Sequence, residues 1–332
     1  MPDGTTKYGD INQRTAAYAT AKMLAYAKPT MVLQAFGESK PMPKNKADNM
    51  KFRRMIPFGA ATIPLVEGVT PTAQKMQYED VAVAMKQYGA TIIITDVVSD
   101  LSEDPVMMNA SELLGDQAGN TIEQLTYGVV RAGTSVFYAN GAVRTAVNTP
   151  ITLNKQRAVT RYLKAQKAMK ISKVLAPSVN YATRAVEAAY IAVAHTDVES
   201  DIRNLAGFKT TAEYGTRTTI SEHEIGSVED VRYVLSADLS PFLNAGGVAG
   251  GTVLSNGGAQ ADVYPVIYFG KESFGLVPLK GSESITPMVV NMKPSSSDPL
   301  AQRGYVSFKT YFAAVILNQT WMTRLEVAVT SL

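Results

Sequence analysis

The sequence predicts an α+β chain of more than one lobe, and three observations predict it. One helical face is sustained from Asp104 to Tyr138, two alternating strand patterns flank a long tip rich in Gly, Pro and Thr, and the 332 residues exceed what one compact core usually holds.

In chain order, residues 1–12 are polar and read as an arm. Gln13 to Lys28 is alanine-rich helix material stopped by Pro29, and Phe36 to Asn49 reads as an extended connection. Lys51 to Ile56 and Val81 to Lys86 each alternate in character, with Pro57 to Asp80 between them. Two two-sided strands joined by a long tip predict a projecting β-hairpin, which is marginal alone in water and must rest on something. Tyr88 to Val98, with Ile92-Ile93-Ile94, predicts a more buried strand that feeds the long helix.

That helix opens on Asp104-Pro105, an N-cap carboxylate followed by the proline that a first helical position tolerates. Met107, Ala110, Leu114, Ala118, Ile122, Leu125, Val129, Ala132 and Val136 then recur at three- and four-residue spacing. This predicts a spine of about nine turns, roughly 50 Å long, ended by Asn140-Gly141. Gly115, Gly119, Gly128 and Gly133 lie inside it, each costing about 1 kcal/mol against alanine, and are the candidate bend or hinge positions.

Asn154 to Ser172 predicts a second amphipathic helix, with Val159, Tyr162, Leu163, Gln166 and Met169 inward and its Lys and Arg outward. A mixed α/β lobe follows. Its strands are near Tyr190–Ala194, Val231–Leu235 and Val263–Phe269, and helices start at Thr196 and at Lys271-Glu272. Asn244 to Asp262, almost uncharged and glycine-rich, reads as a flexible surface loop. Tyr305–Leu317 and Arg324–Val329 are long β-type runs that return to the spine.

Absence of cysteine excludes disulfides, thiolate nucleophiles and zinc–thiolate sites, and suits a reducing compartment. No signal-peptide pattern and no apolar run of membrane-spanning length is present, so a soluble, intracellularly made protein is expected. The net charge of +3 conceals segregation: residues 1–60 hold ten basic and four acidic side chains, and residues 61–150 four and ten. Residues 151–186 carry eight basic groups and no acid. Such blocks either meet opposite blocks on a second copy or neutralise each other within one chain.

Motifs of chemistry are few. There is no phosphate-binding loop, HExxH, GxSxG or GxGxxG at a strand–helix junction. His195 precedes Thr196-Asp197 and reads as a capping or packing histidine. His223-Glu224-Ile225-Gly226 reads as a turn, since no second histidine or cysteine completes a metal shell. Asp96 and Asp100 are a candidate carboxylate pair, with solvated acids near a helix start as the plainer reading. Trp321 sits in an apolar run and reads as core. No catalytic, cofactor or metal residues are assigned. Two further readings stay open: a nucleic-acid-binding protein using the basic helix 154–172 and the basic arm, and an enzyme with a site around Asp197, Arg203, Glu224 and Arg232.

The order of arm, hairpin, spine, α/β lobe and strand-rich return resembles the major capsid protein of tailed bacteriophages, the Hong Kong 97-type (Johnson) fold. The residues resemble its podophage N-four-related family. Phe52-Arg53-Arg54 and Ile63-Pro64-Leu65-Val66-Glu67-Gly68-Val69-Thr70-Pro71 are similar to that family's extended-loop block, and Gln87-Tyr88-Gly89 with Thr95-Asp96 to the next. Asp197-Val198, Asp201-Ile202-Arg203, Phe208, Glu224-Ile225-Gly226 and Val231-Arg232-Tyr233 resemble the central lobe. Asp298 to Tyr305, Lys309 and Ala313 to Asn318 resemble the C-terminal block. His195-Thr196-Asp197 departs from the family's His-Pro-Asp, and Ser307 and Phe308 stand where glycine and tryptophan are usual.

The resemblance implies a division into an N-terminal arm (1–47), an extended loop (48–98), a peripheral domain with the spine (99–150 and 285–332) and an axial domain (151–284). It implies a non-enzymatic shell subunit, without cofactors, that forms hexamers and pentamers of an icosahedral capsid around packaged double-stranded DNA. Such a subunit is made and assembled in the host bacterial cytoplasm and ends in the virion. Its implied partners are itself, scaffolding and portal proteins, decoration proteins and, non-specifically, the DNA; no membrane and no Lys–Asn cross-link is expected. The interface candidates are Arg53, Arg54 and Glu67 on the hairpin and Asp104, Glu112 and Asp116 at or near the spine, the arginines meeting a neighbour's acids.

Overall fold

Alternating side chains on a middle sheet organise the molecule, because that sheet has an apolar core on each face. The computed structural model describes residues 31–43, 48–97, 106–175, 183–215, 218–279, 285–290, 292, 294 and 299–332. The arm 1–12, the helix expected at 13–28, Asp100, Asp104 and Pro105 lie outside the described residues.

In chain order the elements are β1 (Glu38–Ser39), β2 (Asn49–Met55), β3 (Tyr78–Ala84), β4 (Lys86–Thr95), α1 (Val106–Arg131), β5 (Val136–Tyr138) and α2 (Leu153–Ala165). Next come β6 (Ile171–Leu175), β7 (Thr183–Ala194), α3 (Glu199–Arg203), β8 (Lys209–Thr210), β9 (Glu224–Val228) and β10 (Val231–Leu235). The chain closes with β11 (Tyr264–Phe269), β12 (Phe274–Pro278), β13 (Ile285–Val290), β14 (Arg303–Ile316) and β15 (Met322–Val327). They form a five-stranded sheet ordered β1-β12-β14-β13 with β4 on β14, an eight-stranded sheet ordered β5-β15-β11-β7-β10-β9-β8 with β6 on β7, and the β2–β3 hairpin.

On β7, Ile191 and Val193 enter one core while Tyr190, Ala192 and Ala194 enter the other; on β11, Ile267 and Phe269 oppose Val266 and Tyr268. Burial on both faces explains why β10, β11 and β15 are continuous buried runs instead of alternating ones. The first core is closed by α1, whose Ala110, Leu114, Ala118, Ile122 and Val130 pack with Val306, Phe308 and Phe312 of β14. Small residues at 110 and 118 let the helix lie close to the sheet.

The long helix exists, but it stops at Arg131 after 26 described residues, about 39 Å. Its last turn tightens through Ala132 N–H to Val129 O and Gly133 N–H to Val130 O. Val136–Tyr138 then pair in parallel with Arg324–Glu326 as an edge strand, so a β-branched and aromatic run prevailed over helical spacing. Gly133 therefore lies past the helix, where an added Cβ would meet the Met322 methyl at 2.9 Å. Gly115 and Gly119 are buried inside it. A Cβ at Gly128 would meet nothing within 4 Å among the described residues, so none of them requires glycine there. Gly128→Ala is expected to stabilise the protein by about 1 kcal/mol, read from the denaturant midpoint.

Four other expectations are corrected. In the expected strand Tyr88–Val98, strand runs only to Thr95, and among the described residues only Ile94 is buried, because β4 is an edge strand with one outward face. The basic helix ends at Ala165: Lys167 takes φ 55°, the chain reverses into β6, and Gln166 and Met169 are exposed while Gln156 and Thr160 are buried. Lys271-Glu272 is no helix start but the turn between β11 and β12, with Glu272 at φ 58°. The stretch 244–262 is pinned: the buried Asp262 carboxylate accepts from Asn244 N–H at 2.6 Å and Asn256 N–H at 2.8 Å, and Gly246 N–H donates to Ala261 O.

Other expectations hold. His195 caps the turn at Thr196 through Nδ1, accepting from Asp197 N–H at 3.1 Å, and its ring lies against Tyr264. His223 is in an exposed turn. Trp321 packs against the second core while its Nε1 donates to Gln166 O. The expected boundary near residue 284 is crossed in both directions, since β12 belongs to the five-stranded sheet and β15 to the eight-stranded one.

Candidate assembly surfaces

The hairpin is built as the alternation demands. β2 and β3 pair in antiparallel register from Asn49–Ala84 to Met55–Tyr78. Its base is seated: Phe52 is buried with Met42 and Val277, and its ring lies so close over Gly275 that a Cβ there would meet Phe52 Cζ at 2.9 Å. Beyond Met55 the two legs separate. The tip turns at Val66–Val69, where Val69 N–H donates to Val66 O and Gly68 takes φ 78°, the position that requires glycine in a type II turn. Ile63 and Leu65 are 86% and 78% exposed, and Phe58, Val66, Val69 and Met76 are exposed beside them. Exposed apolar side chains gathered on one segment are what an interaction surface offers.

Arg53 donates through Nε and Nη2 to Asp80 at 2.7 and 3.0 Å, and Arg54 pairs with Glu79 at 2.6 Å. Hydrogen bonding to the Arg53 guanidinium holds the Asp80 carboxyl below its ordinary range. Basic and acidic blocks thus neutralise each other across the hairpin within one chain. Glu67 sits exposed in the tip turn. Glu112 and Asp116 lie on α1, half-buried and exposed, each engaged within the chain. The structure therefore gathers Arg53, Arg54 and Glu67 on the hairpin and Glu112 and Asp116 on the helix, in two separate places.

The basic helix is similarly engaged. Arg157 pairs with Glu229 at 2.6 Å, and Lys164 and Lys170 both reach Asp230 at 2.5 and 3.1 Å. Hydrogen bonding to Lys164 lowers the Asp230 pKa. Glu229 and Asp230 of the β9–β10 turn thus engage three of the basic side chains in the stretch proposed for phosphates.

The four residues of the enzyme reading do not form one constellation. Asp197 accepts from Tyr264 OH and Arg203 pairs with Glu199. Glu224, buried, accepts from Tyr214 OH at 2.7 Å and Ile220 N–H at 2.5 Å, and lies 3.7 Å from Arg232. Among the described residues, no group of three or more metal-ligating side chains converges. Asp96 accepts from its neighbour's amide, Val97 N–H.

Besides Asp262, sequence reading missed the buried carboxylates of Glu123 and Glu326. Glu123, on the sheet-facing side of α1, accepts from Leu33 N–H with both oxygens at 2.9 and 3.2 Å, and burial pushes its pKa up to about 8. A carboxylate between Ile122 and Thr126 on the apolar stripe was the available signal. Glu326 joins Arg144 Nε and Nη2 (2.8 and 2.7 Å) to Arg324 Nε (2.8 Å), while Arg324 Nη1 donates to the last helical carbonyl, Arg131 O. Arg131 and Arg144 stand over the Phe242 ring, each 3.5 Å from its centre.

A family profile described as "Phage capsid protein" matches residues 78–322, most of the chain. The chain belongs to the phage capsid protein family. The fold agrees with this membership across very distant solved structures. The capsid of Ralstonia phage GP4 is similar at TM-score 0.66 and 11% identity, over 89% of this chain and 87% of that one. The cyanophage Pam1 capsid asymmetric unit gives 0.63 at 14% identity, over 93% of each chain. The head structure of Helicobacter pylori bacteriophage KHP40 gives 0.58 at 9%, over 89% and 88%. No curated protein sequence matches. This phage capsid protein is a structural shell subunit of the virion, and its α+β architecture is that of Hong Kong 97-like capsid folds.

Proposed function

We propose that the protein assembles into hexamers and pentamers of an icosahedral shell around packaged double-stranded DNA, without catalysis. The observation that carries this reading is the hairpin: its base is buried in its own body, while its tip is extended, apolar and exposed. A segment of that kind gains its burial on a neighbour, and head-to-tail contacts between unlike surfaces close rings. The long helix and five-stranded sheet serve as the peripheral body and the eight-stranded sheet as the axial one; the arm (1–47) and the extended loop (48–98) each lend the five-stranded sheet one strand, β1 and β4. Gly115 and Gly119 are the candidate bend of the spine. Scaffolding, portal and decoration proteins and non-specific DNA contact complete the partners, and assembly takes place in the host bacterial cytoplasm.

Electron microscopy of the purified protein, beside its sedimentation profile, tests the reading: closed shells or rings are expected, and a monomer both alone and co-expressed with the neighbouring phage genes would defeat it. The charged edge of the hairpin is tested within the same assay. Arg53→Glu with Asp80→Arg keeps the cross-strand pair but reverses the field offered to a neighbour's Glu112 and Asp116. It is expected to lower the assembled fraction severalfold with the melting temperature unchanged; normal assembly removes these residues from the interface.

A further inference from the structure

Two asparagines in the chain are followed by glycine, Asn140 and Asn256. An asparagine side chain carries an electrophilic amide carbon, and the next residue's backbone nitrogen is its nearest nucleophile. Glycine at that next position has no Cβ to block the approach. Whether the two atoms meet depends on how the fold holds them, and it holds the two pairs in opposite ways.

Asn140 is locked. Its Nδ2 donates to Ala146 O at 2.8 Å and to Asn148 Oδ1 at 2.9 Å, and its Oδ1 accepts from Asn148 N–H and from Thr149 Oγ1, both at 3.0 Å. These are the four hydrogen bonds that an amide side chain can make. Gly141 is wedged beside it, at φ 69°, where a Cβ would meet Ala146 Cβ at 2.5 Å. Turning the Asn140 amide carbon onto the Gly141 nitrogen would break this whole set.

Asn256 is anchored by its backbone and open at its side chain. Its N–H donates to Asp262 Oδ2 at 2.8 Å, and Ser255 Oγ lies within hydrogen-bond distance of Gly258 O and Gln260 O. Among the described residues neither the Asn256 side-chain amide nor Gly257 N–H has a hydrogen-bond partner. Both residues are exposed, and a Cβ at Gly257 would meet nothing within 4 Å among the described residues. Exposed side chains exchange rotamers freely, so the amide carbon reaches the Gly257 nitrogen without losing a contact.

We propose that Asn256 is a self-modification site, which loses its amide to give aspartate and isoaspartate, and that the new carboxylate loosens the stretch 244–262. The Gly257 nitrogen bonds to Asn256 Cγ, its proton passes to the departing side-chain nitrogen, and ammonia leaves as a succinimide ring closes. Water then adds to either ring carbonyl and cleaves that carbon's bond to nitrogen. One water is consumed and one ammonia released, with no other reactant. The product brings a charge into Asn244 to Ala261, a stretch that has none, beside the buried Asp262 carboxylate. That carboxylate holds Asn244 N–H and Asn256 N–H, and a like charge so near repels it. The isoaspartate product also lengthens the backbone by one carbon between these anchors. The change runs one way, so the loop records the age of the protein.

The purified full-length protein, aged in mildly alkaline buffer beside a sample held unfolded in guanidinium, tests this. Peptides are read by mass spectrometry for replacement of NH2 by OH, and by methyl transfer from an isoaspartate methyltransferase. In the folded protein conversion at Asn256 is expected to be at least about tenfold faster than at Asn140, while the unfolded chain converts at both. Equal folded rates at the two sites overturn the proposal, as does an Asn256 that stays intact while the unfolded chain converts. Asn256→Gln is expected to abolish the isoaspartate signal from that peptide; a persistent signal removes the assignment to Asn256. Asn256→Asp installs the product charge at once and is expected to speed hydrogen exchange at the Asn244 amide severalfold, with the α1 amides unchanged. Unaltered exchange at Asn244 overturns the loosening.

Discussion

Glu123→Gln is expected to stabilise the protein above pH 5 and to remove most of the pH dependence of its stability between pH 5 and 9. The Glu123 carboxyl is buried against Leu33 N–H, and its pKa rises from 4.5 to about 8 because burial disfavours the charge, with the Asp238 carboxylate adding to the effect. Asp238 is itself raised by burial and by Asp116, so the acids facing this point from α1 and from the segment after β10 reinforce one another. In the unfolded chain Glu123 ionises near 4.5, whereas in the folded protein it holds its proton to about 8. The folded state therefore binds more protons in that interval, and stability falls as pH rises through it, then levels off. A shift of this size corresponds to about 5 kcal/mol, an order-of-magnitude figure. Glutamine keeps an acceptor for Leu33 N–H without the ionisation. Melting temperatures at pH 5, 7 and 9 check this: the wild type should fall across the series and the variant should stay nearly level. An equal fall in both would show that Glu123 does not control the transition. Because Leu33, Val32 and Phe36 plug the first core at this point, the same series reports how firmly the segment 31–36 is held on α1.

Glu326→Gln is expected to cost about 3–5 kcal/mol, because it leaves Arg324 buried without an opposite charge. The carboxylate is fully buried and accepts three hydrogen bonds from two guanidiniums. Burial already lowers the Arg324 pKa, a sign that its charge is held in place by Glu326 and by Arg131 O. Urea unfolding should show a lower midpoint with an unchanged slope. Arg324→Met combined with Glu326→Leu is expected to recover most of the loss, since replacing both buried charges with apolar groups avoids the desolvation cost. Recovery would mean that the pair organises this junction of α1, β15 and Phe242 more than it stabilises it. If Glu326→Gln alone were neutral, the junction would be too wet for the charges to matter.

Local pattern carried a good part of this protein. The hairpin was legible because alternation from Lys51 to Ile56 and from Val81 to Lys86 is a property of neighbouring residues, and Glu67-Gly68 can turn the chain unaided. The helix was legible because its apolar stripe repeats over many turns, and His195 because a cap is made with residues two apart. The family, too, was legible from ordered short blocks. Tertiary structure decided the rest. Val136–Tyr138 fit a helical face equally well, and only the open edge of β15 made them a strand. Lys271-Glu272 had a helix-start composition, but two sheets had to be joined there, and a turn joins them. The charge blocks left two readings open, and only the structure shows that Arg53 faces Asp80 across a hairpin and Lys164 meets Asp230 across the β9–β10 turn, so that part of the charge is paired within one chain. Glu123 and Glu326 find their partners 90 and 182 residues away, at Leu33 and Arg144. Burial of a charge depends on everything packed around it, and a sequence window holds too few of those neighbours to reveal it.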